Sequence, residues 1–331
     1  MTLTGNVSIN TGSGAGNISF TSTVDGGQTL TLTAGTGDVS MNSAVGGGTA
    51  LTSFTIVSAT QVDLANVQAG IIAVTGTNID LNGTAYTAPS TAADNDITFT
   101  GAVDLDAEAG IITVTSGGGA GETITFTSTV DDTGTNNTLT LVAGSGAVSI
   151  QSHVGSTSAL VAFNVTSASS ATVGGSLRVT TNISITADEI DFNGGANTVE
   201  TTGAGTITLQ PTADNVSIGV GGGAGTLDLN DTDIAALKGG FSLITIGRAT
   251  GTSLMTIDTS SFGDSVTFLM NGASGDISVT GALNTTADSD AGNIILTASA
   301  TTTTISANIT TAGGTITVTN AAVIAGGGTV T

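Results

Sequence analysis

The 331-residue chain has no cysteine and no tryptophan, one tyrosine, one histidine, two prolines and only three Lys or Arg. Each shortage closes a route. Without cysteine there is no disulfide framework and no thiolate to act as ligand or nucleophile. Three basic residues against 25 acidic ones, a net charge of −22, cannot neutralise a row of phosphates. Nucleic acid is therefore excluded as a partner, and anionic membrane surfaces are disfavoured on the same ground. Aromatics at 3 % leave a thick conventional core without its largest contributors of buried area. No run approaches the ~18 apolar residues of a membrane span, so no membrane insertion is expected. The opening MTLTGNVSIN has neither the basic nor the apolar region of a secretory leader. Both ends read as strands, as though the chain were a stretch, or the mature part, of a longer repeat protein.

What remains is 39 % apolar, mostly Ile, Val, Leu and Ala, with 49 glycines. That is too apolar for a disordered chain and suits many thin core layers. Internal repeats are plain. ISFTSTVD at 18–25 returns as ITFTSTVD at 124–131, and LTLTAGTGDVS at 30–40 returns as LTLVAGSGAVS at 139–149. VGGGTALTSFTIVSA at 45–59 returns as VGSTSALVAFNVTSA at 154–168, and TNIDLNG at 77–83 as DEIDFNG at 188–194. Residues 5–100 and 110–200 are thus two copies of one unit, with insertions confined to turns, and 201–331 are divergent coils.

Within the copies, apolar residues two apart with Thr or Ser between them recur, as in Ile18/Phe20, Leu30/Leu32, Val39/Met41, Ile124/Phe126 and Ile207/Leu209. This is the period of a half-buried strand. Gly-, Asn- and Asp-rich turns separate them. No propeller signature is present, and a sandwich of ordinary size would carry heavier core residues. The pattern predicts an all-β chain: a right-handed parallel β-helix, or β-solenoid, running continuously over 1–331 as a single elongated repeat domain of about 10 to 15 coils.

One stretch departs from this pattern. DTDIAALKGGFSLITIGR at 231–248 carries Lys238 and Arg248, and predicts a short helical corner near 231–239. Asp231 is its expected N-cap, with Asp233 in the positive first turn and Lys238 at the negative end before Gly239–Gly240. Ile234, Leu237 and Phe241 are spaced to plug a coil edge. Arg248 is expected to pair with Asp228, Asp231 or Asp258.

The segment GNISFTSTVDGGQTLTLTAGTGDVSMNSAVGGGTALTSFTIVSATQVDL resembles the long repeat arrays of filamentous-haemagglutinin-like proteins, giant bacterial surface and secreted adhesins. The module at 225–251, GTLDLNDTDIAALKGGFSLITIGRATG, resembles one recurrent there: a GTLxL strand, an acidic helical turn, then a strand ending in IG. The resemblance covers essentially the whole chain. It implies a non-enzymatic extracellular stalk or fibre segment at the bacterial surface, with a host or cell-surface glycan or protein as receptor. A self-assembling fibre or surface-layer subunit, stacking on copies of itself through open coil edges, is the alternative.

His153 follows Asp132 by 21 residues (153 − 132), roughly one coil. The equivalents of Asp132 and His153 in the first copy are Gly26 and Ala44, and the one tyrosine, Tyr86, reads as part of a loop, GTAYTAP. A polysaccharide-active site needs two opposed carboxylates, usually beside aromatic platforms, so no catalytic residues are assigned. Calcium is the more credible ligand. Asp94, Asn95 and Asp96, then Asp188, Glu189 and Asp191, then Asp288, Asp290 and Asn293 place oxygen donors in turns. Neither the calcium nonapeptide nor an EF-hand loop is present, and ordinary Asx turns explain the same residues. No other cofactor is expected. Thr-x-Thr pairs raise ice binding as a remote reading, opposed by their uneven spacing.

Overall fold

Alternation of aliphatic residues with Thr or Ser sends one side of each short strand inward and the other to solvent. In the computed structural model, which describes residues 1–89, 95–108, 110–134, 136–288, 292–299 and 303–325, these strands pair in parallel from coil to coil. The result is a β-solenoid of about 12 turns, nearly all parallel β with 2 % helix. Contacts divide the chain into two compact units, Met1–Ser169 and Ser170–Thr331.

In the first unit each coil contributes to three walls. Wall one stacks the strands Val7–Asn10, Thr29–Thr33 and Leu51–Ser58, then the first parts of Val67–Leu81 and Ile97–Leu105, then Thr123–Phe126 and Ala147–Ile150. Its inward column runs Leu30, Phe54, Ile72, Ile97, Ile124, Val148, all buried. Wall two stacks Ile18–Phe20, Val39–Met41, Gln61–Leu64, residues 78–81, residues 103–105 and Val130–Asp132. Wall three begins as single buried valines, Val24, Val45 and Val67. It widens into Ala85–Thr87, Ile111–Thr115, Thr138–Val142 and Ala162–Ala168.

A side chain in such a column is covered above and below by its equivalents, and its burial stabilises the coil by about 1.5–3 kcal/mol. Three of the ten aromatics cluster in the first unit, where Phe99 stacks on Phe126 with ring centres 5.2 Å apart and Tyr86 meets Phe99 edge-on at 6.1 Å; in the second unit Phe262 meets Phe268 edge-on at 5.8 Å. Tyr86 does not lie in a loop as its GTAYTAP context suggests. It points inward from Ala85–Thr87, fully buried, and its hydroxyl donates to the Leu64 carbonyl at 2.7 Å and accepts from Gly83 N at 3.0 Å.

The sequence copies do not superpose on the same walls. Thr29–Thr33 and Leu51–Ser58 lie in wall one, whereas their repeats, Thr138–Val142 and Ala162–Ala168, lie in wall three. Val39–Met41 lies in wall two and its repeat, Ala147–Ile150, in wall one. The local contacts nevertheless recur. A register shift follows Leu32 in one copy and Leu141 in the other. Gly35 N donates to Ser58 Oγ at 3.2 Å, and Gly144 N to Ser167 Oγ at 3.2 Å.

The second unit is built alike. One wall stacks Ile183–Ala187, Thr206–Gln210, Leu243–Arg248, Val266–Met270, Ile294–Ala298 and Ile316–Val318. The 225–251 module inserts an extra tier. Ile218–Val220 pairs in parallel with Leu227–Leu229 although only residues 221–226 connect them, about half the dozen such a crossover ordinarily takes. Glycine makes this feasible. Gly221 and Gly222 have φ of 61° and 83°, and a Cβ on Gly225 would lie 1.9 Å from Gly219 N. Leu227–Leu229 ends up beside Ile190–Phe192, and the helix α1, Asp231–Ala236, fills the matching tier of the next wall.

Candidate functional site

Asp and Asn in the turns are engaged from coil to coil. An Asx oxygen placed just before a strand accepts the N–H at the equivalent place one coil later, satisfying a donor the ladder leaves over. Asp25 Oδ1 accepts from Gly48 N at 2.7 Å and Thr49 N at 3.3 Å, and Asp131 Oδ1 does the same for Thr157 N at 2.7 Å and Ser158 N at 3.2 Å. Asp96 accepts from Thr123 N at 2.6 Å and its hydroxyl at 3.0 Å, and Asp188 from Thr212 N at 3.0 Å and its hydroxyl at 2.6 Å. Asn293 holds Thr315 in the same way.

The calcium candidates are thereby separated. Asp96 and Asp188 each serve a different coil, Asp191 accepts from Thr172 Oγ1 at 3.2 Å, and Asp288 lies against the backbone at Gly239 and Gly263. Asp94 and Asp290 lie outside the described residues. Among the described residues no three of His, Asp and Glu converge as metal ligands. Asn95 and Glu122 instead form a buried pair, Asn95 Nδ2 donating to Glu122 Oε1 at 2.8 Å.

His153 is exposed, and its carbonyl accepts from Val130 N at 2.9 Å. Asp132 is turned inward: its carboxylate accepts from Asn136 N at 3.0 Å and Asn137 Nδ2 at 3.1 Å. The Thr-x-Thr ranks do stack despite uneven sequence spacing, since the extra residues sit in turns: Ser8, Thr31 and Thr55 are in register, as are Thr98, Thr125 and Ser149. Ile71 and Ala73 interrupt them.

The feature that residue-by-residue reading missed is a carboxylate ladder on wall two. Asp63, Asp80, Asp104 and Asp131 are register partners on successive tiers, with Ser40 below them. Ser40 Oγ donates to Asp63 Oδ2 at 2.9 Å and Asn78 Nδ2 to Asp80 Oδ1 at 2.8 Å. Burial pushes the Asp80 carboxyl up from its ordinary value, a Gln61 hydrogen bond opposes this, and Asp104, Asp63 and Asp106 push the same way as burial. Residues 1–169 hold twelve Asp and Glu and no Lys or Arg, so no fixed cation of that unit offsets the ladder. The signal was a motif: VDL at 62–64, IDL at 79–81, VDL at 103–105 and VDD at 130–132.

The three cations belong to the second unit. Arg178 and Lys238 converge on Glu200, with Arg178 Nε 3.3 Å from Oε1. Arg248 pairs with none of Asp228, Asp231 and Asp258. Its Nη1 donates to the carbonyls of Pro211 at 2.8 Å and Thr212 at 3.0 Å, and its Nε lies 3.0 Å from Asp214 Oδ1. The helix also differs from expectation at both ends. Asn230 rather than Asp231 is the N-cap, because only Asn230 has an acid three residues on to close a capping box, Asp233. The helix stops at Ala236 because Leu237 turns extended to bridge Val199, leaving Lys238 beyond its end. Ile234 and Phe241 are buried as expected and Leu237 is half-buried.

No protein-family model, curated protein or solved structure matches this chain.

Proposed function

We propose that the chain is a non-enzymatic structural repeat protein, a rigid stalk or fibre segment of a bacterial surface or secreted adhesin, working outside the cell. The observation that carries this reading is the use made of the turn residues. The side chains best suited to chemistry, Asp25, Asp96, Asp131, Asp188 and Asn293, tie one coil to the next rather than facing a common cavity. Side-chain caps in the turns and aliphatic columns inside the walls hold the same coil pairs together, which is what a spacer under tension requires. The resemblance to filamentous-haemagglutinin-like repeats adds the surface context and a glycan or protein receptor.

Pulling the full chain by its ends tests the reading. Neighbouring tiers are held in register, Leu30 on Phe54 for example, 24 residues apart (54 − 30). Coils should therefore detach in steps of about 80 Å of contour at ~3.4 Å per residue. Unfolding without such steps at low force, or cleavage of a polysaccharide by the purified chain, would overturn it.

A further inference from the structure

Asp233 is the most deeply buried acid described in the second unit, 3 % exposed. Its Oδ2 accepts from Asn230 N at 3.0 Å, closing the capping box of α1, and its Oδ1 accepts from Phe192 N at 2.8 Å, tying the helix to the strand Ile190–Phe192. The charged groups around it are acids. Glu189 and Asp191 come with that strand, Asp228 comes from Leu227–Leu229, and Asp231 shares the helix. The strand Ser260–Ser261, also packed on α1, brings only hydroxyls. The unit's cations are engaged elsewhere, Arg178 and Lys238 on Glu200 and Arg248 on Asp214. Within the same group, Asp228 Oδ1 is buried without a hydrogen-bond partner, so with every carboxyl ionised the cluster is short of a donor.

We infer that α1 is a proton-linked clasp, holding its tier most tightly while Asp233 carries a proton and loosening as that carboxyl ionises. The inference rests on the helix alone and is independent of the adhesive reading. The Asp233 carboxyl is raised from 3.8 to about 6, the net of burial, which raises it most, the N–H groups of Phe192 and Asn230, which pull it down, and Asp191 and Asp228, which push it up. A group whose folded value lies above its unfolded one contributes stability fully at pH below the unfolded value. That contribution is lost as pH rises through the folded value. The clasp is thus tightest below about pH 4 and weakened by about pH 7, a change of about 100-fold in the opening equilibrium.

Amide hydrogen exchange of the full chain at pH 4.5 and 7.5, corrected for intrinsic rates, reads this directly. Protection at Phe192, Asn230 and Asp233 should fall by tens of fold at the higher pH, while amides of Thr206–Gln210 should not follow. Asp228→Asn should shrink the fall, and Asp191→Asn, on the half-exposed outer wall, gives the same reading should the first variant misfold. Equal protection at both pH values, an equal fall throughout the unit, or an undiminished fall in the folded variants would overturn the inference.

Discussion

Replacing Asp80 by Asn should stabilise the first unit at neutral pH. Asp80 is the middle of three half-exposed carboxylates, with Asp63 and Asp104 as register partners on the tiers either side. Tiers are ~4.8 Å apart. At that separation each like-charge pair costs about 0.9 kcal/mol in a water-like medium and several times more where solvent is partly excluded. Removing the central charge abolishes two such pairs, and Asn keeps an oxygen to accept from Asn78 Nδ2. The expected gain is about 1–2 kcal/mol at pH 7 and low salt. Because the Asp80 carboxyl is raised in the folded chain, wild type regains this stability as pH falls and the group protonates. The two proteins should therefore converge by about pH 3, and also in 1 M salt, where the screening length is about 3 Å. Denaturant melts of both proteins at pH 3 and 7, with and without salt, provide the assay. A variant no more stable than wild type at pH 7 would mean that the hydrogen bonds of Ser40, Gln61 and Asn78 outweigh repulsion, and the argument would fail.

Gly225→Ala should destabilise the second unit by more than about 2 kcal/mol, since its Cβ would fall 1.9 Å from Gly219 N; thermal melts check this. Tyr86→Phe removes the buried hydroxyl from between the Leu64 carbonyl and Gly83 N, which keep their own bond at 3.1 Å, and should cost only about 0.5–1.5 kcal/mol in a urea titration. Asp25→Ala and Asp131→Ala remove the same pair of coil-to-coil bonds from the two copies; Asp25→Ala should cost about 1–2 kcal/mol and Asp131→Ala less, because it also relieves repulsion with Asp104. A chelator should leave the melting temperature unchanged, because Asp96 and Asp188 are held by Thr123 and Thr212.

The strands and their stacking were legible because Ile124/Phe126 and Leu139/Leu141 carry their period openly and the turns between them are glycine-rich. The helix was legible as a helix. Its cap was displaced by one residue because Asn230 and Asp231 are both good caps, and only the bond to Asp233 separates them. Tyr86 was misplaced because a three-residue strand between GT and AP looks like a loop until its neighbours bury it. Partners distant in sequence were the least legible. Arg248 reaches back to Asp214, Pro211 and Thr212, because what lies beside a residue is set by coil length, which glycine turns vary freely. The aspartate ladder failed for the converse reason. Each VDL triplet is an ordinary strand, and only the stack makes four of them one charged column.

The displacement of the sequence copies by one wall constrains what the interior can contain. A duplicated segment that re-enters the stack out of phase must fit its new neighbours as well as the old. Leu32 and Ile56 face the core from wall one, while their counterparts Leu141 and Val165 do so from wall three. Such interchange requires walls of near-equal depth, and even a ring is carried over: Phe54 is buried in wall one and its counterpart Phe163 in wall three. An insertion that shifts the phase by one wall therefore need not change the residues that face the core.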